Sequence, residues 1–311
     1  MKHILYQPFK RGLLLLVLIA GALQVTAQDA YLLSQQWQSR LNRNPAAAGV
    51  SGNPLDLAMF YRNQWGNLDD ALHTTVLNAE GYVPDIKSNL GFTFSYDKPT
   101  TARQNVSALV SYAFRFDVSA KYKLSLGLAA GIMNRSFDPG KLVYDDPGDP
   151  GKLTEKTSTA KADFSAGAEL TGDKLTVGLG ITHLGNSTGT GTGNSEDWLS
   201  QQQVYTYARY LIPAAHKFDV VPAASWLHYE GDNLFELGVS GLFDKKYWAG
   251  VAWRPDAAVV LSAGLEFYLF RVGYAYDLGI GDSKVIDGGV HEVMVQFSLN
   301  KSKAKAKPKA E

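Results

Sequence analysis

Apolar and polar side chains alternate with a period of two over most of the chain from Leu55 to Leu299. Within residues 121–134, one set of alternate positions is apolar: Tyr122, Leu124, Leu126, Leu128, Ala130 and Ile132. The positions between them hold mainly lysine, serine, glycine and alanine, and residues 88–97 and 173–183 divide in the same way. A helix would scatter these side chains around its axis, whereas a strand sorts them onto opposite faces. The pattern therefore predicts β-strands.

The lengths of the predicted strands favour a membrane protein. We predict fourteen strands, near residues 54–65, 72–82, 88–97, 104–115, 121–134, 161–171, 173–183, 203–212, 217–229, 233–243, 246–254, 257–267, 269–278 and 289–299. Most contain ten residues or more, whereas strands of soluble proteins usually have about five or six. A tilted strand needs about 9–11 residues to cross a bilayer.

The connections between the predicted strands fall into a short and a long class. Short ones lie around 172–173, 213–216, 244–245 and 267–269, and the long ones are 135–160, 184–202 and 279–288. Outer-membrane barrels have short turns on the periplasmic side, long loops on the outside and an even number of strands. We therefore expect residues 135–160 and 184–202 to face the outside of the cell.

Together these features predict an all-β fold, a transmembrane outer-membrane β-barrel of about 14 antiparallel strands over residues 54–299. A closed barrel is the only sheet that leaves no backbone group unpaired in lipid. The alternative is a soluble β-sandwich or a large ligand-binding barrel with one wet face. Strand length and the asymmetry of the loops oppose that alternative.

Charged residues within the strands share one face, which we predict lines the lumen. They are Arg115, Asp163, Glu169, Glu236, Glu266, Arg271, Asp277 and Glu292. A basic residue facing lipid at the midplane would cost about 2–4 kcal/mol, so this sorting is required. Glu266 and Arg271 lie on adjacent strands joined by a tight turn, and we predict that they pair across it. Tryptophans near strand ends are predicted to form an interfacial girdle: Trp65, Trp226, Trp248 and Trp253.

The N-terminus has the pattern of a secretory signal peptide over residues 1–27. Three basic residues precede an apolar run from Leu13 to Leu23, and small residues suggest cleavage near Ala27. The run of 11 residues is shorter than the roughly 20 that a helix needs to span a bilayer. An uncleaved N-terminal anchor is the alternative. We expect export to the outer membrane of a Gram-negative cell, in contact with outer-membrane lipid.

Two segments lie outside the predicted barrel. Residues 28–53 are polar and rich in asparagine, glutamine and alanine, and they contain Asn44, Pro45 and Gly49. We predict a periplasmic N-terminal segment that acts as a plug of the barrel or as a docking peptide, because proline and glycine interrupt regular structure. Residues 300–311 form a Lys-rich tail that we predict to be disordered.

Composition and motifs exclude several function classes. Of the 311 residues, 45% are hydrophobic and 19% are charged. The 30 basic residues equal the 30 acidic ones in number, so the chain has no excess of positive charge for binding nucleic acid. The absence of cysteine removes disulfides and thiol chemistry. The acidic loop 145–151 lacks the spacing of a calcium site, and the glycine-rich loop 189–193 lacks that of a phosphate loop. We predict no catalytic residue, no metal site and no cofactor.

Four motifs resemble those of the PorP/SprF family, outer-membrane proteins of the type IX secretion system of Bacteroidetes-type bacteria. They are Gln28-Asp29 with Ser34-Gln35-Gln36 and Asn44-Pro45-Ala46-Ala47-Ala48-Gly49, then Tyr61-Arg62-Asn63-Gln64-Trp65, Phe270-Arg271-Val272-Gly273-Tyr274-Ala275-Tyr276-Asp277 and Gly289-Val290-His291-Glu292. The resemblance implies partners in type IX secretion and a secreted surface protein, such as an adhesin for gliding, that the barrel helps to export or anchor.

Other functions remain open from the residues alone. A barrel of this size encloses a lumen, so a passive channel or an uptake barrel for hydrophobic solutes is the first alternative. An outer-membrane enzyme is the second, although we find no Ser, His and acid arrangement on one rim. Conductance across a planar bilayer would separate a channel from a scaffold.

Overall fold

The computed structural model describes residues 32–64, 72–86, 88–142, 152, 154–184, 202–229, 231–281 and 289–299. The strands are β1 Leu55–Gln64, β2 Leu72–Val83, β3 Ser88–Lys98, β4 Arg103–Asp117, β5 Tyr122–Phe137, β6 Thr157–Gly172, β7 Leu175–Thr182, β8 Gln203–Tyr210, β9 Ile212–Ala215, β10 Phe218–Tyr229, β11 Asp232–Phe243, β12 Tyr247–Arg254, β13 Ala258–Phe267, β14 Phe270–Gly279 and β15 Val290–Leu299. In the described part of the chain, no helix is both long and apolar enough to cross a membrane.

The sheet closes on itself. Sequential strands pair antiparallel, and β1 also pairs with β15, from Leu55 opposite Leu299 to Gln64 opposite Val290. β9 continues β8 beyond Leu211, and both pair with β10, so they count as one strand of the barrel. The predicted barrel of about 14 antiparallel strands is therefore confirmed.

The two faces of the wall follow the alternation of the sequence. On β5, Leu128 and Ile132 point outward and are 66% and 61% exposed, whereas Ser125 and Ala129 point inward and are buried. Large apolar side chains are exposed in the same way on most other strands of the barrel. A wall that exposes so many apolar side chains fits a hydrocarbon solvent, and closure pairs the backbone groups that lipid cannot satisfy.

The connections divide between the two rims of the barrel. Those that follow β2, β4, β6, β9, β11 and β13 are short and lie at the end where β1 begins, which we call the short-turn rim. The longest connections, after β5, β7 and β14, lie at the opposite end, the long-loop rim. β5 reaches Phe137 and β6 begins at Thr157, so this hairpin is longer than predicted.

The predicted tryptophan girdle is wrong at one position. Trp253 is 44% exposed on the outer face, but Trp248 of the same strand is buried in the lumen against Leu33, Phe60 and Met294. Residues five apart on one strand lie on opposite faces, so these two tryptophans do not both meet the interface. Trp65 lies outside the described residues.

Several sequence predictions concern residues that the structure does not describe. They are the signal peptide 1–27, the loops 145–151 and 189–193, and the tail 300–311. The loops predicted to face the outside, 135–160 and 184–202, are described only in part.

Epitope tags test which rim faces the outside. A tag inserted in residues 184–202 is expected to bind antibody on intact cells, because long loops of such barrels are extracellular. A tag placed in the turn at 244–246 is the matched control and is expected to react only after the cells are permeabilised. The reverse pattern of labelling would invert the orientation of the barrel.

Candidate functional site

The described part of the N-terminal segment lies inside the barrel. Residues 32–53, which we call the plug segment, form three single 3₁₀ turns, Gln36–Gln38, Arg40–Asn42 and Pro45–Ala47. Side chains or backbone groups of the plug segment hydrogen-bond to strands β1, β2, β4, β6, β8, β10, β11, β12, β14 and β15. Of the two roles predicted for this segment, a plug and a docking peptide, these contacts are those of a plug. Its polar side chains pair with polar lumen residues, and composition alone does not distinguish that partner from water.

The plug segment begins in the half of the lumen nearest the long-loop rim. The backbone N–H groups of Ser34 and Gln35 donate to the two oxygens of Glu292, at 2.7 and 2.8 Å. Arg62 donates to Ser34 Oγ at 2.6 Å, and its Nη1 lies 3.8 Å from Glu292. Glu292 is fully buried, so each of these contacts compensates a carboxylate that has lost its water.

A network of buried charges surrounds this start of the plug segment. Arg254 bridges two carboxylates, with Nε 2.7 Å from Glu236 and Nη1 3.0 Å from Asp277. Arg62 contacts the same Asp277 oxygen at 3.0 Å. Arg254 also donates from Nη2 to the carbonyl of Leu33, at 3.1 Å. We call Arg62, Arg254, Glu236, Asp277 and Glu292 the charge network, and it joins five strands of the wall to the plug backbone.

Gln36 connects the plug segment to strands β8, β10 and β11. Its amide nitrogen donates to Glu236 at 2.5 Å and to Ser225 at 3.1 Å, while its oxygen accepts from Tyr205 at 2.6 Å. Apolar contacts add to this, because Leu32 packs in a cluster of buried side chains from β8, β10 and β11: Tyr205, Tyr207, Leu227, Tyr229 and Leu234. Every polar atom of the Gln36 side-chain amide thus has a partner on the wall.

A second anchor lies nearer the short-turn rim. Arg40 forms a two-point ion pair with the buried Glu169, at 2.9 and 3.4 Å, and the hydroxyl of Tyr207 donates to the same carboxylate. Burial would lower the pKa of the Arg40 guanidinium, but the charge of Glu169 outweighs burial, and the pKa is raised above its ordinary value. Arg40 therefore stays charged and holds the middle of the plug segment in place.

Asn44 and Pro45, predicted as candidate residues of the plug, sit at the third turn. The oxygen of Asn44 accepts from the N–H of Ala46 at 3.0 Å, and Pro45 occupies the first position of the turn, so the two residues cap and start it. The amide nitrogen of Asn44 donates to the carbonyl of Ala168 and to Tyr207, at 3.1 and 3.0 Å.

Glycines in the wall give this turn its space. A Cβ added to Gly127 of β5 would lie 2.2 Å from the nitrogen of Ala46 and 2.4 Å from the carbonyl carbon of Pro45. A Cβ on Gly180 of β7 would lie 2.0 Å from the carbonyl oxygen of Arg43. The backbone of the plug segment thus lies directly against the backbone of the wall, which only glycine permits.

Gly49, the third predicted residue of the plug, turns the chain toward β1. Its φ is +59° and its N–H donates to Glu80 at 2.8 Å. A Cβ there would also lie 2.8 Å from the side-chain oxygen of Asn89 and from the carbonyl of Gly81. Both the left-handed backbone and the close neighbours favour glycine at this position.

Glu266 and Arg271, predicted to pair, lie opposite each other on β13 and β14. Arg271 Nη2 is 3.4 Å from Glu266, and Arg271 Nη1 donates to Gln38 of the plug segment at 2.7 Å. The guanidinium lies over the ring of Trp248, with 5.1 Å between Cζ and the ring centroid. The pair therefore joins the wall to the plug segment near the short-turn rim.

A double-mutant cycle measures the coupling of this pair. Alanine substitutions at Glu266 and Arg271 are expected to be non-additive in the free energy of unfolding, by about 1 kcal/mol for a partly exposed pair. Additivity of the two single changes would show that the pair contributes nothing. Alanine at Lys217 and Asp244, an exposed pair 3.7 Å apart at the short-turn rim, is the control cycle and is expected to give a smaller value.

Sequence reasoning missed Arg62 and Arg254, the two basic members of the charge network. The alternation could have found both, since Arg62 lies on the face opposite to Met59 and Tyr61, and Arg254 on the face opposite to Val251 and Trp253. Both residues lie near a strand end, where a charge is easily interpreted as facing water. The inward charges that were predicted do have lumen partners, and Asp163, for example, lies 2.9 Å from His183.

The comparisons with known proteins agree with the fold. Residues 25–297 match the protein family described as type IX secretion system membrane protein PorP/SprF. No curated protein sequence matches the chain. The structure is similar to that of the Ralstonia pickettii toluene transporter TbuX, with a TM-score of 0.50, 9% identity and coverage of 84% of this chain and 94% of that one. It is also similar to a TodX deltaS2S3 mutant, a monoaromatic hydrocarbon channel, with a TM-score of 0.50, 10% identity and coverage of 90% and 97%.

Proposed function

The chain belongs to the PorP/SprF family of type IX secretion system membrane proteins, and from this premise we propose that it is an outer-membrane scaffold for export or surface anchoring of a secreted partner. The partner is a surface protein such as an adhesin, handled together with other type IX components. The protein reaches the outer membrane after cleavage of its signal peptide near Ala27. It carries out no catalysis in this role.

The observation that supports a scaffold is the filled lumen. The plug segment is bonded to ten strands, by the ion pair of Arg40 with the buried Glu169 in one half of the barrel and by hydrogen bonds to Glu292 and Arg254 in the other. Breaking a buried ion pair by removing one partner costs about 3–5 kcal/mol. A passive channel would have to displace a segment with one such ion pair and many hydrogen bonds, whereas a scaffold keeps that segment in place.

Uptake of hydrophobic solutes is the second candidate, and the likeness in fold to a toluene transporter and a monoaromatic hydrocarbon channel favours it. At 9% and 10% identity this likeness concerns the fold alone. The lumen of this chain opposes the idea, because charged and amide groups occupy its centre. An apolar solute would replace those hydrogen bonds with none of its own.

Removal of the plug segment separates the two functions. Cells that make the chain without residues 30–50 are expected to contain an inserted barrel, since the spanning strands are unchanged, but to lose surface display of the partner. A variant in which the same residues are replaced by a glycine and serine segment of equal length is the control for tether length, and it is expected to fail in the same way.

The other outcomes of this deletion are equally informative. Normal display together with raised conductance and faster entry of toluene would favour uptake and contradict the scaffold. Normal display with unchanged conductance would contradict both functions of the plug segment. A barrel that no longer inserts would show that the segment serves assembly, and would contradict a role limited to the partner.

A further inference from the structure

Two arginines at the short-turn end of the lumen have no carboxylate partner among the described residues. Arg115 of β4 donates to the carbonyl of Val50 at 2.8 Å and to Thr171 Oγ1 at 2.9 Å. Arg209 of β8 makes one long bond, 3.5 Å from Nε to Thr176 Oγ1. A guanidinium has five N–H donors, so most donors of both groups are unused. The Nε of Arg115 is buried and without a partner in the described structure.

The two guanidinium groups converge on one place. Thr171 and Thr176 face each other on adjacent strands, in the last described pair of the β6–β7 ladder. Arg115 reaches this threonine pair from one side and Arg209 from the other. The Thr176 side chain is almost wholly buried, while both arginines are half-buried. Two cations and two hydroxyl groups thus lie together on this part of the lumen wall.

The acidic groups nearby are already engaged. Glu169 accepts from Arg40 and from Tyr207. Asp117 lies 3.5 Å from Lys123, with its side chain largely exposed, and Glu266 is paired with Arg271. Within the described residues, no carboxylate therefore forms an ion pair with Arg115 or Arg209. Half-buried guanidinium groups in a narrow lumen attract anions more strongly than exposed ones do.

We propose that Arg115, Arg209, Thr171 and Thr176 form a binding site for a small oxyanion, a phosphate or carboxylate group, that enters through the short-turn mouth of the lumen. Guanidinium groups match the oxygen spacing of both anions, and hydroxyl groups donate to oxygens that the arginines leave free. The site is separate from the charge network, and it does not depend on the proposed role in secretion. It would give a periplasmic ligand or peptide carrying such a group a fixed position at this mouth.

Calorimetric titration of the purified full-length chain in detergent tests the site. Inorganic phosphate and acetate are titrated separately, at low and constant ionic strength, and at least one of them is expected to bind saturably. Arg209→Gln is expected to weaken that binding by about tenfold or more. Thr176→Val is expected to weaken it by less. These two changes leave the bond between Arg115 and the plug segment intact. Arg115→Gln is a third variant with the same expectation.

Arg135→Gln is the matched control. Arg135 is an arginine of the lumen face of β5 in the long-loop half, where it donates to Asn105 at 2.9 Å, and its replacement is expected to leave binding unchanged. Binding of phosphate alone identifies a phosphate group as the ligand class, and binding of acetate alone identifies a carboxylate. The absence of saturable binding for both anions would overturn the proposal, and so would binding that Arg209→Gln and Thr176→Val leave unchanged.

Discussion

Replacement of Gly127 by valine is expected to displace the plug segment and open the lumen. The position of a Cβ on Gly127 lies 2.2 Å from the nitrogen of Ala46 and 2.4 Å from the carbonyl carbon of Pro45. Contacts below 3 Å with backbone atoms cannot be relieved by turning a side chain, so either the third turn of the plug or strand β5 must move. The strand is held by full ladders to β4 and β6, and we therefore expect the plug to move.

Conductance across a planar bilayer and cleavage of the plug segment by added protease measure this displacement. Both are expected to rise well above the wild-type level. Ala130→Val is the matched control, because Ala130 lies on the same strand with its side chain exposed on the lipid face. It adds bulk without touching the plug. A Gly127→Val barrel that conducts no more than the wild type and resists protease would show that close contact with Gly127 is not needed to hold the plug segment in place.

Loss of Arg254 is expected to give the largest loss of stability. Arg254→Met leaves Glu236 and Asp277 buried with less compensation, and removal of one partner of a buried pair costs about 3–5 kcal/mol. The change also removes the bond to the carbonyl of Leu33. Urea-induced unfolding in lipid vesicles measures the free energy.

The double variant Glu236→Met with Arg254→Met is the control for uncompensated charge. It is expected to recover part of the loss, because no lone carboxylate then remains at position 236, and Asp277 keeps its contact with Arg62. A single variant that unfolds within 1 kcal/mol of the wild type would show that the network contributes little. Equal losses in the single and double variants would assign the effect to packing of the side chain.

The strands of the barrel wall could be predicted because the pattern that specifies each strand lies within that strand. A strand that separates lipid from the lumen must alternate apolar and polar side chains, and the thickness of the bilayer fixes its length. Residues 121–134 therefore predict a spanning strand without any knowledge of the strands they pair with. Trp248 shows the limit of that reasoning when the alternation is not followed to the end of a strand. The spacing of five residues between Trp248 and Trp253 could be read from the sequence, but the contact of Trp248 with Leu33 of the plug segment could not.

The interior was predictable only in part because its contacts are distant in sequence. Asn44, Pro45 and Gly49 were notable as breakers of regular structure, and all three occupy turns of the plug segment. Their partners depend on the register of the whole barrel, as with Gly127, which lies opposite Pro45 only after the sheet has closed. No short-range pattern in residues 28–53 distinguishes a chain that fills a lumen from one that lies in water.

The bond between the plug segment and Glu292 has a consequence for the order of assembly. The barrel closes where the first strand meets the last, and Ser34 contacts a residue from each of them, Arg62 and Glu292. Ser34 is 258 positions from Glu292, and contacts of such long range form late, since the loop they close is large. The pairing of β1 with β15 therefore forms last, although Ser34, which bridges these two strands, is synthesised before either of them. A chain that stops before β15 would lack both the strand that closes the barrel against β1 and the carboxylate that holds Ser34, so its sheet would keep an unpaired edge in lipid.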